Sequence, residues 1–185
     1  MSALLLNLLL AADSGASLQE RVTHRAGRLE LAPSIAVSVN DAFFTRLGGT
    51  LRAAFHVTET FAVALRGGGF AAIPTDDLAV ARRELGSVQR PLNAWLAMAD
   101  VEWAPIYGKA AIEDAIVHFD VVAITGLGVA LARPAFDVGA AARVTLRQAV
   151  SLTVSLIDTA YVEPAGLQHA LMLGVGLSVL LPLRS

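Results

Sequence analysis

His118-x-Asp120 sets a base and a carboxylate two residues apart, the spacing that places both on one face of an extended strand. Such a pair is half a metal site, or the base and orienter of a hydrolytic triad. Either needs a further group, and the sequence supplies neither a second histidine at ligand spacing nor a serine beside His118 on the same face. A second candidate is Gly126-Leu127-Gly128, which comes after an apolar run as the opening of a dinucleotide-binding turn would. That turn requires a helix after the second glycine and an acidic residue roughly 20 positions on to hold a ribose. Here the segment runs to Arg133-Pro134 and reaches Arg147 and Gln148 where the carboxylate should stand. No catalytic, cofactor-binding or metal-ligating residues are therefore assigned, and no cofactor is expected.

The remaining ionisable residues fall into a pattern once the elements that carry them are identified. Hydrophobic residues make up 55% of the 185 and charged ones only 16%, with mean hydropathy +0.60. A soluble domain averages about 25% charged residues, so this chain has too few to cover a surface facing water. Yet no stretch reaches the roughly 18 to 20 consecutive apolar residues of a spanning helix, and even Leu171–Leu183 is broken by glycine. High apolar content without a long run is the mark of strands whose two faces meet different surroundings. A net charge of −2 gives no electrostatic footprint for nucleic acid, and the absence of cysteine excludes disulfides and thiolate metal sites. Residues 1–16 read as a signal peptide or an apolar N-terminal segment, with Ser14-Gly15-Ala16 as a small-residue cleavage site.

Period-2 alternation recurs from Leu29 onward. Leu29, Leu31, Ile35 and Val37 oppose Glu30, Ser34 and Ser38, and Leu51, Phe55 and Val57 oppose Arg52 and His56. The pattern continues through segments centred on Leu65, Val101, Val121, Val138, Val154 and Val175, which predicts eight strands. Three connections, at 58–60, 104–113 and Ala149, are assigned to one end of the molecule. Those at 41–47, 67–92, 131–134 and 161–166 are assigned to the other, with a helical turn expected within 76–85. The predicted class is all-β: an eight-stranded antiparallel up-and-down transmembrane β-barrel occupying 27–182.

A barrel of this size has an interior just wide enough for side chains. The polar face places Glu30, Arg52, His56, Arg66, Asp100, Glu102, His118, Asp120, Arg143 and Arg147 in a lumen network of paired charges. Folding adjacent strands about the assigned turns puts His118 opposite Asp100 and Arg147 near His118 and Asp120. Gly126, Gly128, Gly139, Gly174 and Gly176 share that face, making room for larger neighbours. Trp95, Trp103 and Tyr107 are expected as membrane-interface aromatics. The two tryptophans are separated by about 26 Å of strand, or about 20 Å along the membrane normal after tilting. His169 falls on the apolar parity near the outer rim.

The stretches Arg83–Leu85, Glu102–Lys109, Ile116–Gly128 and Leu167–Pro182 resemble the small outer-membrane β-barrel domain family found mainly in myxobacteria and relatives. The resemblance spans roughly 27–182 and implies an eight-stranded barrel with no established chemistry. The expected function is that of an integral outer-membrane protein of a Gram-negative bacterium. Its role would be structural or interaction-based through the outer loops, chiefly 67–92, with a filled rather than conducting lumen. Its partners would be outer-membrane lipid and envelope proteins, with no nucleic acid. A soluble lipocalin-like carrier, with the apolar face lining a ligand pocket, is the alternative. An outer-membrane lipid-modifying enzyme is the third reading.

Overall fold

A computed structural model of the protein describes residues 23–40, 44–75, 77, 94–112, 115–147, 149–163 and 166–181. The segment expected as a signal peptide and almost all of the 76–92 connection, with its expected helical turn, lie outside them. The strands are β1 (Leu29–Ser38), β2 (Phe44–His56), β3 (Phe61–Pro74), β4 (Ala94–Ile112), β5 (Ala115–Ala130), β6 (Arg133–Arg147), β7 (Val150–Glu163) and β8 (Gly166–Leu181). Each pairs antiparallel with its neighbour in sequence, and β8 returns to β1, closing the ring. The chain is an eight-stranded antiparallel up-and-down barrel.

The alternation in the sequence decides which way each strand faces. Glu30 and Ala32 are buried while Ile35 is 68% exposed, and along β5 Val122 and Ile124 are buried while Leu127 is 71% exposed. Large exposed apolar side chains occur on all eight strands, for example Ile35, Leu51, Leu65, Val101, Leu127, Val138, Leu156 and Val175. The apolar face is therefore outside, the reverse of what a soluble ligand carrier requires. On β8 the outward apolar series from Leu171 to Leu181 covers about 33 Å of strand, and tilted by about 40° it spans about 25 Å, the height of a transmembrane apolar band. Among the described strand residues of this belt, His169 Nδ1 lies 2.9 Å from Asp158 Oδ2 near the upper ends of β7 and β8. The outward position expected for His169 is the one it occupies.

Several connections are shorter than the periodicity suggests because the strands run further. The 104–113 segment is not a turn: β4 continues through it to Ile112, and the β4–β5 ladder reaches Ile112↔Ala115. The β3–β4 ladder ends at Phe61↔Trp103, so this hairpin projects past β3. Pro105, which has no N–H to give the ladder, sits in a bulge between Trp103 and Ile106 and resets the facing of the later residues of β4. Gly67–Pro74, whose glycines suggest a loop, belong to β3. At the other end, 131–134 contracts to two residues, Leu131 and Ala132, with φ of 54° and 60°. Two successive left-handed residues match the twist of the flanking strands and close the β5–β6 hairpin tightly. On the β1–β8 seam Leu31 pairs with Val179 and Ser34 with Gly176, with no partners at Ala32 and Pro33, where the proline lacks a donor.

Candidate functional site: the lumen charge network

Inward positions of the lower half of the barrel hold arginines and carboxylates that meet across it. Arg52 on β2 donates to both Glu30 on β1 and Glu102 on β4. Arg143 on β6 approaches the same two carboxylates at 3.5 and 3.4 Å. His56 Nε2 lies 2.9 Å from Glu30 Oε2. Arg25, which precedes β1, enters the lower mouth and reaches Asp120 at 2.8 Å and Glu30 at 3.8 Å. The segment around it is pinned by Glu59 of the β2–β3 turn, whose carboxylate accepts from the amides of Arg25 and Ala26 at 3.1 and 3.2 Å. Charges taken this far out of water persist only when paired and hydrogen-bonded, and these are.

One level up stands a separate triad. Arg66 on β3 donates through Nε to Asp100 on β4 at 2.9 Å and through Nη2 to Asp137 on β6. Between the aspartates lies Gly126 on β5, in register with Asp100 on one side and Asp137 on the other. A Cβ at Gly126 would collide with Asp100 Oδ1 and come 2.7 Å from Asp137 Oδ1. The glycine that resembles a nucleotide turn is thus the space into which two carboxylates close. Gly128, Gly139, Gly174 and Gly176 act alike, each facing a neighbour's side chain: Met98, Ile157, Ser155 and Ser34. Above the triad the lumen is packed mainly by apolar side chains, Phe70, Leu96, Met98, Tyr161 and Met172, with Arg46 and Thr159 beside them.

Of the ten polar residues expected in the lumen, Glu30, Arg52, His56, Arg66, Asp100, Glu102, Asp120 and Arg143 are buried there. Two expectations are corrected. Asp100 lies opposite Gly126, whereas His118 lies opposite Lys109 and Thr145, because the strands continue through the segment expected as a turn. Arg147 is exposed: a bulge between Thr145 and Arg147 pairs it with Val150 and turns it from the network. The bulge at Pro105 has the parallel effect on Tyr107. Expected at the membrane interface with Trp95 and Trp103, it takes an inward register opposite Asp120, and its hydroxyl lies 2.7 Å from His118 Nδ1. The halves of His118-x-Asp120 accordingly serve different partners, Tyr107 and Arg25. Trp95 and Trp103 do face outward, each about half exposed, with Trp103 stacked on Phe61.

Two members were missed. Asp137 stands on the polar parity of its strand, and its alternation with Phe136 and Val138 is a sufficient signal. Arg25 lies ahead of the first alternating segment, where periodicity carries no information. Among the described residues, no group of three or more histidine, cysteine, aspartate or glutamate side chains is placed to hold a metal ion.

A cavity of about 50 Å³ lies beside this network, lined by Ser34, Arg52, Glu102, Arg143, Thr153, Ser155 and apolar residues. Arg143 Nε and Thr153 Oγ1 have no hydrogen-bond partner among the described residues. The space has room for bridging water, which needs polar partners and at least about 10 to 15 Å³.

No family model matches the chain, and no curated protein matches it. Solved structures similar to it include Neisserial surface protein A, 6% identical with TM-score 0.48 over 82% of this chain and 95% of that one. Another is Ail, the attachment invasion locus protein of Yersinia pestis, 6% identical with TM-score 0.44 over 83% and 97%. A third is the outer membrane protein AlkL in lipid bilayers, 13% identical with TM-score 0.40 over 92% and 98%.

Proposed function

We propose that this chain is an integral protein of the bacterial outer membrane whose filled lumen does not conduct, and that it acts structurally or as an interaction module through its outer loops, chiefly the long connection after β3. It groups, in this reading, with the small outer-membrane barrel domains of myxobacteria and relatives. The observation that carries it is that lumen side chains join strands on opposite sides of the ring. Arg66 of β3 bonds Asp137 of β6, and Arg143 of β6 lies 3.5 Å from Glu30 of β1. These pairs lie across any axial path, Arg25 sits in one mouth, and an apolar cluster fills the other half. Outside, hydrocarbon tails solvate the apolar belt, so lipid is the obligatory partner.

Planar-bilayer recording tests the lumen. The expected result is no stable open level above the bare bilayer, and a reproducible ohmic pore would overturn the filled-lumen reading. Membrane fractionation with heat-modifiable gel migration tests the location, where recovery of folded protein in the detergent-free soluble fraction would overturn it.

A further inference from the structure

We infer that Asp100 and Asp137 form a binding site for one positive charge, held between their Oδ1 atoms over Gly126 and carried by a proton or a small monovalent cation. The first ground is a charge count by connected group. The lower network joins Arg25, Arg52 and Arg143 to Glu30, Glu102 and Asp120, three arginines against three carboxylates, with His56 beside Glu30 as a further basic group. The upper triad sets Arg66 alone against Asp100 and Asp137, one cation against two. Both aspartate side chains are 0% exposed, and a buried charge without compensation is not sustained.

The second ground is geometric. Arg66 engages the Oδ2 atoms, while Asp100 Oδ1 and Asp137 Oδ1 have no hydrogen-bond partner among the described residues. Both flank the position a Gly126 side chain would take, and the Ala99 carbonyl oxygen lies 2.8 Å from that same position. The three heavy atoms nearest that position, outside Gly126 and its chain neighbours, are all oxygens. The triad's excess is one negative charge, so the compensating charge is a single one. Around the site, β3 contributes Arg66, β7 contributes Thr159 opposite Asp137, and Arg46 of β2 faces the cavity above, beside Thr159 and Tyr161. Gly126 is essential to the site, because any side chain would occupy the gap.

The test uses the full chain refolded in micelles at neutral pH, with D137N and D100N beside it. Thermal unfolding is followed in sodium chloride and in choline chloride at equal ionic strength, and infrared spectra are recorded in the sodium-free buffer. A carboxylic-acid carbonyl band in the wild type that both variants lose identifies the proton. A midpoint that rises with sodium in the wild type, and is indifferent to it in both variants, identifies the cation. A wild type with neither signal overturns the proposal, whether or not the variants fold, as does a signal that survives in both. G126A, which fills the gap and leaves both carboxylates in place, must abolish whichever signal is seen.

Discussion

Arg66 and Asp137 are bonded to each other across the lumen from β3 and β6, strands that share no ladder. The bond spans two intervening strands and ties opposite walls of the ring, with Asp100 as the second anchor of the same guanidinium. Removing the arginine leaves two buried carboxylates facing each other. Arg66→Met should destabilise the barrel by about 3 to 5 kcal/mol, the range for breaking a buried pair from one side. Adding Asp100→Asn and Asp137→Asn should recover much of that loss. Urea midpoints of the three proteins refolded in vesicles provide the check, and a single variant as stable as the wild type would remove the triad from the stabilising interactions.

Glycines on the two faces should differ sharply in tolerance. A Cβ at Gly139 would sit 2.5 Å from the Leu156 carbonyl and 2.8 Å from the Ile157 side chain, so Gly139→Val should cost about 1 to 3 kcal/mol through overpacking. Gly69 faces outward, and a Cβ there meets nothing within 4 Å. Gly69→Val should be neutral within about 0.5 kcal/mol or slightly stabilising, since valine favours a strand. The heat-modifiable folded fraction of the two variants, measured side by side, distinguishes them.

The apolar belt predicts a depth dependence. Val175, half exposed on the outer face of β8, lies midway in its outward series. Val175→Arg should cost about 2 to 4 kcal/mol, whereas Leu146→Arg, at the lower end of β6 beside exposed Arg147, should cost about 0 to 1 kcal/mol. Equal costs in vesicle refolding titrations would mean that the outer surface is not graded by a bilayer.

Alternation made the strands and the inside of the barrel legible. Glu30, Arg52 and Asp100 were assignable to the lumen because each sits between apolar neighbours on an uninterrupted period. Register was not legible where a bulge intervenes. Pro105 and the residue skipped between Thr145 and Arg147 each shift the parity by one, which moved Tyr107 inward and Arg147 out. A one-residue slip reverses every later side chain on a strand, so a local irregularity that leaves composition untouched rewrites the site around it. Glycine and proline at 67–74 suggested a loop for a similar reason. Their weak strand propensity is overridden by ladder partners on β2 along the whole stretch and on β4 as far as Phe70, which no local signal reports.

Leu131 and Ala132 show the same override in a turn, and they yield a prediction of opposite sign. Both hold φ near +60°, where a Cβ crowds the following carbonyl and where glycine is at ease. Neither is glycine, so the hairpin closes at a conformational cost that the β5–β6 ladder on one side and the Leu131 amide bond to the Trp95 carbonyl on the other offset. Ala132 is exposed, so its replacement removes little packing. Ala132→Gly should therefore stabilise the folded barrel, by less than the roughly 1 to 2 kcal/mol that a left-handed non-glycine residue costs, because glycine also gains freedom in the unfolded chain. Ala132→Val, β-branched in the same conformation, should destabilise it. Urea midpoints that move in the same direction for both variants would show that the turn is not held in the left-handed region.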